Sequence, residues 1–306
     1  MRTLSLKSKM LLGIGTVVVF GLALTIGFIA WRNETLARQQ GIAYARELSS
    51  ARALEVSRIL ERAFAVPRTL AHSLEGTQAS EHALSREAIQ RMLRSTLESN
   101  PAIFALWTCW EPNALDNRDA DFVGRPGHDA TGRFVPYFYQ QEKGIGLEAL
   151  NDYATPGAGD YYLLARDSNR ETVLEPYPYE VGGKKILMTS LVVPVHVGDK
   201  VVGAVGVDLD LIHLAKLTAS KIFDEGYTTL ISQKGTYVSH PDAARLNQPV
   251  IKTDPWLEPL LAGIAKGEGF SLTSFSPRIQ RNRLSHRRPD LHRRKPGAVE
   301  RHRQHP

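Results

Sequence analysis

An uncharged apolar run near the N-terminus limits what this chain can fold into more than any other feature. Residues 11–31, LLGIGTVVVFGLALTIGFIAW, are 21 residues without a charge. At about 1.5 Å per residue, a helix of this length spans roughly 30 Å, the thickness of a hydrocarbon core. Arg2, Lys7 and Lys9 precede it, which predicts a cytoplasmic N-terminus and export of the residues after the run. The alternative is a cleaved signal peptide, but no A-x-A site ends the run and its length exceeds the usual ~7–15 residues.

Residues 278–306 form a basic tail that contains four of the ten histidines. It carries ten Lys or Arg against two acidic residues, a net charge of +8; the whole chain carries +6, so residues 1–277 carry −2. Few large apolar residues occur there, which predicts disorder. A polyanion-binding arm is one interpretation. We favour a frameshift near residues 276–278, because His, Arg and Gln codons moved by one base become Ile, Val and Ser codons, and we expect no nucleic-acid partner.

Two helical patterns come after the apolar run. Residues 34–66 carry an apolar stripe at helical spacing, and Pro67 is expected to interrupt that helix. Residues 86–97 form a second amphipathic helix, which Asn100 and Pro101 end.

Strand patterns come next and then repeat. AIFALWTCW and GRFVPYFY are strand-like, and KILMTSLVVPVHV and KVVGAVGVDL form a clear hairpin around Gly198-Asp199. A helix near residues 209–222 leads to a second hairpin, YTTLISQKGTYVSH, with Lys234-Gly235 in its turn. A helix at residues 256–265 and the strand GFSLTSF complete the series. This order predicts an α+β fold in which a transmembrane helix and a long helix precede two tandem antiparallel-sheet modules, the second incomplete.

The sequence contains none of the usual signatures of catalysis or cofactor binding. GxSxG, HExxH, a P-loop and a dinucleotide fingerprint after a strand are all missing, and Cys109 is the only cysteine. We therefore expect no enzyme activity, no cofactor and no metal site. A membrane-anchored periplasmic enzyme is kept as an alternative of another class.

One long block resembles a known family. PGAGDYYLLARDSNRETVLEPYPYEVGGKKILMTSLVVPV followed by VVGAVGVDLDL resembles the double Cache sensor region of bacterial methyl-accepting chemotaxis receptors, and GTYVSHPD fits the same pattern. The resemblance covers residues 1–277. It implies two PAS-like modules in the periplasm, a small-molecule ligand in the membrane-distal module, an inner-membrane anchor and a homodimer. The sequence departs from the family in having no second span, linker domain or methylated coiled coil, so this chain is expected to bind but not to signal. The input domain of a histidine kinase or cyclic-dinucleotide enzyme is the alternative.

The resemblance and the patterns together predict the domain boundaries. In chain order they are a cytoplasmic N-terminus (1–10), a transmembrane helix (11–31), a long periplasmic helix (32–73), the ligand-binding distal module (74–212), the incomplete proximal module (213–277) and the tail (278–306).

The resemblance also implies the ligand-binding residues. Tyr161 and Tyr162 match the aromatic pair of the family's amino-acid-binding members, Tyr177 matches the Tyr of Tyr-x-Asp, and Asp208 matches the last Asp. Two positions depart, because Gly159 stands where the family has Arg and Tyr179 stands where it has the middle Asp. The predicted set is Trp107, Asp160, Tyr161, Tyr162, Tyr177, Tyr179 and Asp208.

An acid among aromatic rings suits a cation, since each ring face contributes about 0.5–2 kcal/mol to a nearby positive charge. Without the Arg, little else would neutralise the carboxylate of an α-amino acid. An amine or quaternary ammonium ion is therefore the expected ligand, with an amino-acid-like compound next. Other interpretations stay open: Asp208 can cap the helix after it, Tyr161 and Tyr162 point to opposite faces if they lie on a strand, and Tyr177 and Trp107 can be ordinary core.

Overall fold

The computed structural model describes residues 5–78, 83–218, 221–222, 226–258, 261 and 263–264. The predicted strand GFSLTSF, the basic tail, the proposed frameshift and part of the predicted helix 256–265 lie outside the described residues.

One continuous helix, α1 (Leu6–Gln78), contains both the apolar run and the long stripe after it. Pro67 lies inside α1, so the predicted interruption at Pro67 is wrong. A proline inside a helix removes one backbone hydrogen bond, but Phe64, Leu70 and Leu74 flank it and are buried against the sheet. Tertiary packing therefore maintains the helix where local propensity would end it.

The N-terminal part of α1 is exposed and apolar. Within the described residues, α1 is the one helix that is long and apolar enough to cross a membrane, a criterion of length and composition alone. None of its most apolar window is buried against the rest of the chain. The predicted membrane-spanning run is thus an exposed apolar helix in the part of the chain that the structure describes.

Helix α2 (Arg86–Glu98) begins where the sequence predicts it. The side chain of Ser85 accepts a hydrogen bond from the backbone N–H of Ala88 and caps the helix. Ile89, Leu93 and Leu97 form its buried stripe.

Seven strands form one antiparallel sheet in the order β3-β2-β1-β7-β6-β4, with β5 also paired to β6. The strands are β1 (Ala105–Trp110), β2 (Pro136–Gln140), β3 (Ile145–Ala149), β4 (Thr172–Val173), β5 (Tyr177–Val181), β6 (Lys184–Val197) and β7 (Lys200–Asp210). The predicted hairpin around Gly198-Asp199 is confirmed, since β6 and β7 pair on either side of this turn.

Each face of this sheet carries its own apolar core, because side chains alternate between the faces along every strand. On one face, Leu106, Leu191 and Val207 pack with the C-terminal part of α1 and with α2. On the other face, Trp107, Tyr137 and Val192 lie beneath helix α3 (Asp160–Ser168). The second face holds most of the predicted site.

A smaller group of elements comes after the sheet. It contains α4 (Leu211–Thr218), β8 (Lys221–Ile222), β9 (Gly226–Tyr227), β10 (Leu230–Ile231), β11 (Tyr237–Ser239) and α5 (Val250–Thr253). β10 pairs with β11, which confirms the hairpin predicted around Lys234-Gly235. The described residues therefore show an α+β fold with one extended antiparallel-sheet module, and only short elements of a second.

Candidate functional site

The strand register brings distant residues to one place on the sheet. Trp107 of β1 lies opposite Tyr137 of β2, and Asp208 of β7 lies opposite Ser190 of β6. Tyr177 of β5 lies opposite Met188 of β6, two residues from Ser190. Since residues two apart on a strand share a face, these side chains point to the same side of the sheet.

Asp208 lies at the centre of this group. Its side chain accepts hydrogen bonds from Trp107 Nε1 at 3.0 Å and Ser190 Oγ at 2.6 Å on one oxygen, and from the Tyr137 hydroxyl at 2.8 Å on the other. Because Ser190 donates its proton to Asp208, the Tyr177 hydroxyl at 2.6 Å from Ser190 Oγ acts as donor to Ser190. Four neutral groups therefore orient one carboxylate.

Aromatic rings surround this carboxylate. Tyr161 of α3 stacks on Tyr177, with ring centroids 6.1 Å apart and planes at 7°, and meets Trp107 edge-on at 5.4 Å. Tyr179 lies 5.6 Å from Tyr161 and 5.3 Å from Tyr137. We call Asp208, Ser190 and the five rings of Trp107, Tyr137, Tyr161, Tyr177 and Tyr179 the Asp208 cluster.

The Asp208 carboxyl group is buried and has a raised pKa. Asp208 is 1% exposed, and burial raises its pKa to about 6, although the hydrogen bonds from Ser190, Trp107 and Tyr137 act in the opposite direction. Burial also raises the pKa of Tyr137 and Tyr177 well above the ordinary value, so both hydroxyls stay protonated. No basic side chain among the described residues forms an ion pair with Asp208. The ionised carboxylate thus lies in a buried site with neutral hydrogen-bond donors and, within the described part of the chain, no compensating positive charge.

Two predicted residues lie outside the cluster. Asp160 is the first residue of α3, and its side chain accepts a hydrogen bond from the backbone N–H of Gly157 at 2.8 Å. The Tyr162 hydroxyl donates to Glu111, beside the buried Arg133. Tyr161 and Tyr162 both lie on helix α3 rather than on a strand, and of the two, Tyr161 contributes its ring to the Asp208 cluster. A ligand-binding role of Asp160 and Tyr162 stays a prediction.

The capping role considered for Asp208 belongs to another residue. Asp208 lies inside β7, whereas Asp210 at the end of this strand accepts a hydrogen bond from the backbone N–H of Ile212 in α4 at 2.8 Å. Asp208 therefore does not cap α4.

Gly159 cannot be exchanged for a larger residue without rearrangement. A Cβ at this position would lie 2.4 Å from the carbonyl oxygen of Asp152 and 2.6 Å from the backbone of Tyr153. The loop before α3 thus occupies the place from which a side chain at residue 159 would start.

Sequence reasoning missed Tyr137 and Ser190. Tyr137 lies in the run GRFVPYFY, where period-two alternation places it on the same face as Val135 and Tyr139. Ser190 lies opposite Asp208 because a bulge between Val195 and His196 shifts the register of the β6–β7 hairpin by one residue; counted from the turn without this bulge, Ser190 would lie opposite Val207. Neither this bulge nor the pairing of β2 with β1 could be predicted from the sequence patterns.

Comparison with known proteins supports a sensor module. Residues 89–216 match a family model described as methyl-accepting chemotaxis protein-like, first PDC sensor domain. Methyl-accepting chemotaxis protein TlpQ of Pseudomonas aeruginosa is 32% identical over 187 residues, which are 56% of this chain and 26% of TlpQ. The aligned region is therefore about a quarter of the length of that relative.

Solved structures show the same architecture. The extracellular domain of mmHK1S-Z2, named as a histidine kinase, superposes with a TM-score of 0.68 at 28% identity and covers 76% of this chain and 86% of that domain. A structure named methyl-accepting chemotaxis protein X superposes with a TM-score of 0.63, also at 28% identity, over 77% of this chain and 85% of that one.

Proposed function

We propose that this chain senses a small molecule outside the cytoplasm, because residues 89–216 match the family model of a methyl-accepting chemotaxis protein-like PDC sensor domain. The region would be the input part of a chemoreceptor, with the ligand bound in the Asp208 cluster. The predicted distal module (74–212) would bind the ligand, and the predicted proximal module (213–277) would connect it to the membrane.

The ligand we propose is an organic cation, an amine or a quaternary ammonium ion. The observation that carries this proposal is the buried Asp208, which has neutral hydrogen-bond donors and ring faces around it but no cationic partner among the described residues. Burying an uncompensated charge is costly, and a cationic ligand would remove much of that cost. Ring faces add about 0.5–2 kcal/mol each to the binding of such a cation.

The location we propose is the inner membrane, with the sensor module in the periplasm. The exposed apolar segment of α1 supports an anchor, and the similar domain of mmHK1S-Z2 is named extracellular. A homodimer is part of the same proposal and rests on the resemblance alone.

A histidine kinase is the second candidate for the whole protein. The similarity to the mmHK1S-Z2 domain favours it, and both candidates use the module as a ligand sensor. The module's binding chemistry is proposed to be the same in either case.

The Asp208→Asn variant tests the cation proposal. Thermal unfolding of the full chain in nanodiscs would be followed against primary amines, quaternary ammonium ions, amino acids and carboxylates. A ligand at a hundredfold its Kd stabilises the folded state by about 2.7 kcal/mol. We expect a cation to stabilise the wild-type protein and Asp208→Asn to lose that gain, because the amide carries no charge.

Asp210→Asn is the matched control, since it removes the same charge two residues along β7 and keeps an oxygen that can cap α4. It should retain the full cation response. Stabilisation of the wild-type protein by carboxylates only, or an unchanged cation response in Asp208→Asn, would disprove the proposal.

A further inference from the structure

We propose that residues 177–187, the outer part of the β5–β6 hairpin, are a movable gate of the Asp208 cluster and that Glu148 is the latch of this gate. We call these residues the arm. The inference rests on the proposed function of the cluster as a binding site and adds how a ligand enters it.

The cluster is closed in this structure. Trp107 is fully buried, Asp208 is 1% exposed and Tyr161 is 2% exposed. A molecule that binds against Asp208 therefore needs one wall to move. Two walls, Tyr177 and Tyr179, belong to the arm.

The arm extends beyond the rest of the sheet. β6 pairs with β7 only from Met188 onward, where Met188 lies opposite Asp210. The preceding residues of β6, from Lys184 to Leu187, pair with β5, and β5 has β6 as its one strand partner in the described chain. A two-stranded ribbon with one attached end has far fewer backbone hydrogen bonds to break than a central strand, so Met188 marks the place where it can bend.

The carboxylate of Glu148 joins the tip of the arm to the hairpin formed by β2 and β3. Gly182 and Gly183 form its two-residue turn, both at positive φ (59° and 69°), as this kind of tight hairpin requires. The backbone N–H of Gly182 donates to Glu148 Oε1 at 3.1 Å, and the Tyr139 hydroxyl donates to the same oxygen at 3.0 Å. One oxygen of β3 thus holds the arm tip against β2.

A cleft of about 480 Å³ lies between the tip of the β2–β3 hairpin and the tip of the arm. Its walls include Tyr139, Gly182 and Ile186, with Glu142 and Lys184 at the surface. Tyr139 also contacts Tyr137 of the cluster, at 6.1 Å between ring centroids. Lifting the arm would therefore open a path from this cleft toward Asp208.

The opposite face of the arm contacts elements that lead away from the cluster. Leu187 packs against an apolar group that includes Leu211 and Leu214 of α4, and Ile59 of α1 packs against the same group. Movement of the arm would consequently change the packing of both helices, which gives gate opening a route toward the membrane-proximal part of the chain.

Hydrogen exchange of the full chain in nanodiscs tests the gate without any ligand. Glu148→Ala removes the oxygen that holds Gly182, so amides of residues 177–187 should exchange about fivefold faster, equivalent to about 1 kcal/mol for a lost hydrogen bond. Glu148→Gln keeps an acceptor oxygen and should restore slow exchange. Glu142→Ala is the matched control, because Glu142 lies at the same cleft and its contact with the arm, among the described residues, is an exposed 3.9 Å ion pair with Lys184, which is expected to contribute little.

Binding kinetics supply the second measurement, with tetramethylammonium as probe and tryptophan fluorescence as signal. A gate predicts that Glu148→Ala raises the association and dissociation rates together, about fivefold each, while Kd changes little. A purely structural Glu148 would speed exchange throughout residues 89–216, and unchanged exchange in the arm would also overturn the gate. If tetramethylammonium fails to bind the wild-type protein, a quaternary ammonium ligand is excluded, and the exchange data still decide the gate.

Discussion

Asp208 shows how one side chain can be costly for the fold and useful for a ligand. The carboxylate sits between an indole N–H, two hydroxyl donors and several ring faces. Burial raises its pKa to about 6, from an ordinary value of 3.8. Because the folded-state pKa is raised, the stability that protonation of Asp208 contributes is complete below pH 3.8 and is lost as the pH rises through 6. Above pH 6 the protein therefore carries a buried negative charge that no basic side chain of the described residues balances and that a bound cation would balance.

The same titration predicts pH-dependent binding. A cation that needs ionised Asp208 should bind about tenfold more weakly at pH 5 than at pH 7, because only about a tenth of the carboxyl groups with a pKa near 6 are ionised at the lower pH. Calorimetric titration with tetramethylammonium, whose own charge is independent of pH, measures this change. Equal affinity at the two pH values would show that the charge of Asp208 does not contribute to binding.

At the scale of elements, the site depends on how closely β1 and β7 approach. Gly206 of β7 lies opposite Trp107 of β1. A Cβ on Gly206 would lie 2.1 Å from the Trp107 ring, so the missing side chain creates the space for the indole. The indole in turn reaches Asp208, two residues further along β7. A small residue in one strand thus positions a hydrogen-bond donor of its neighbour.

Gly206→Ala should therefore displace the Trp107 ring. Overpacking of this kind costs typically 1–3 kcal/mol, and we expect a loss of about that size in the free energy of unfolding together with a weaker cation response. Denaturant unfolding of the full chain measures the first effect. Gly76→Ala is the control, since a Cβ there meets nothing within 4 Å and the helix should gain slightly from alanine. Equal stability of the Gly206→Ala and wild-type proteins would contradict the tight packing.

At the scale of the whole molecule, α1 has two different environments. Its N-terminal part is apolar and exposed, whereas residues from Ala63 to Leu74 are built into the core beneath the sheet. Arg68 of α1 adds a two-pronged ion pair to Glu171, with N–O distances of 2.6 and 2.7 Å. One continuous helix therefore runs from the proposed membrane anchor into the proposed sensor module.

Substituting one buried and one exposed leucine of α1 by alanine tests whether the two parts of this helix differ in burial. Leu74→Ala should lower the free energy of unfolding by about 2–5 kcal/mol, because Leu74 is fully buried and its loss leaves a cavity. Leu54→Ala on the same helix should change it by about 0.5 kcal/mol or less, since Leu54 is 55% exposed. Denaturant unfolding of the full chain compares the two variants. Similar effects would mean that α1 does not enter the core where the structure places it.

Sequence patterns predicted the structure most reliably where residues close together along the chain determine the secondary structure. The apolar run, the amphipathic α2 and the β6–β7 hairpin result from composition, periodicity and turn residues. Pro67 shows the limit of such reasoning, because packing of its neighbours overrode a strong local signal.

The composition of the Asp208 cluster shows what the sequence by itself determined and what required the tertiary structure. An acid and aromatic residues near each other in the family-like block, Tyr161, Tyr177 and Asp208, could be selected from the sequence. The sequence did not reveal that Tyr137, 71 positions before Asp208, completes the group. It also did not reveal that Tyr162 lies outside the group. Local sequence sets which residue types are present and how they alternate, but the strand pairing and the rotation of α3 set which side chains meet, and both depend on contacts between residues far apart in the chain.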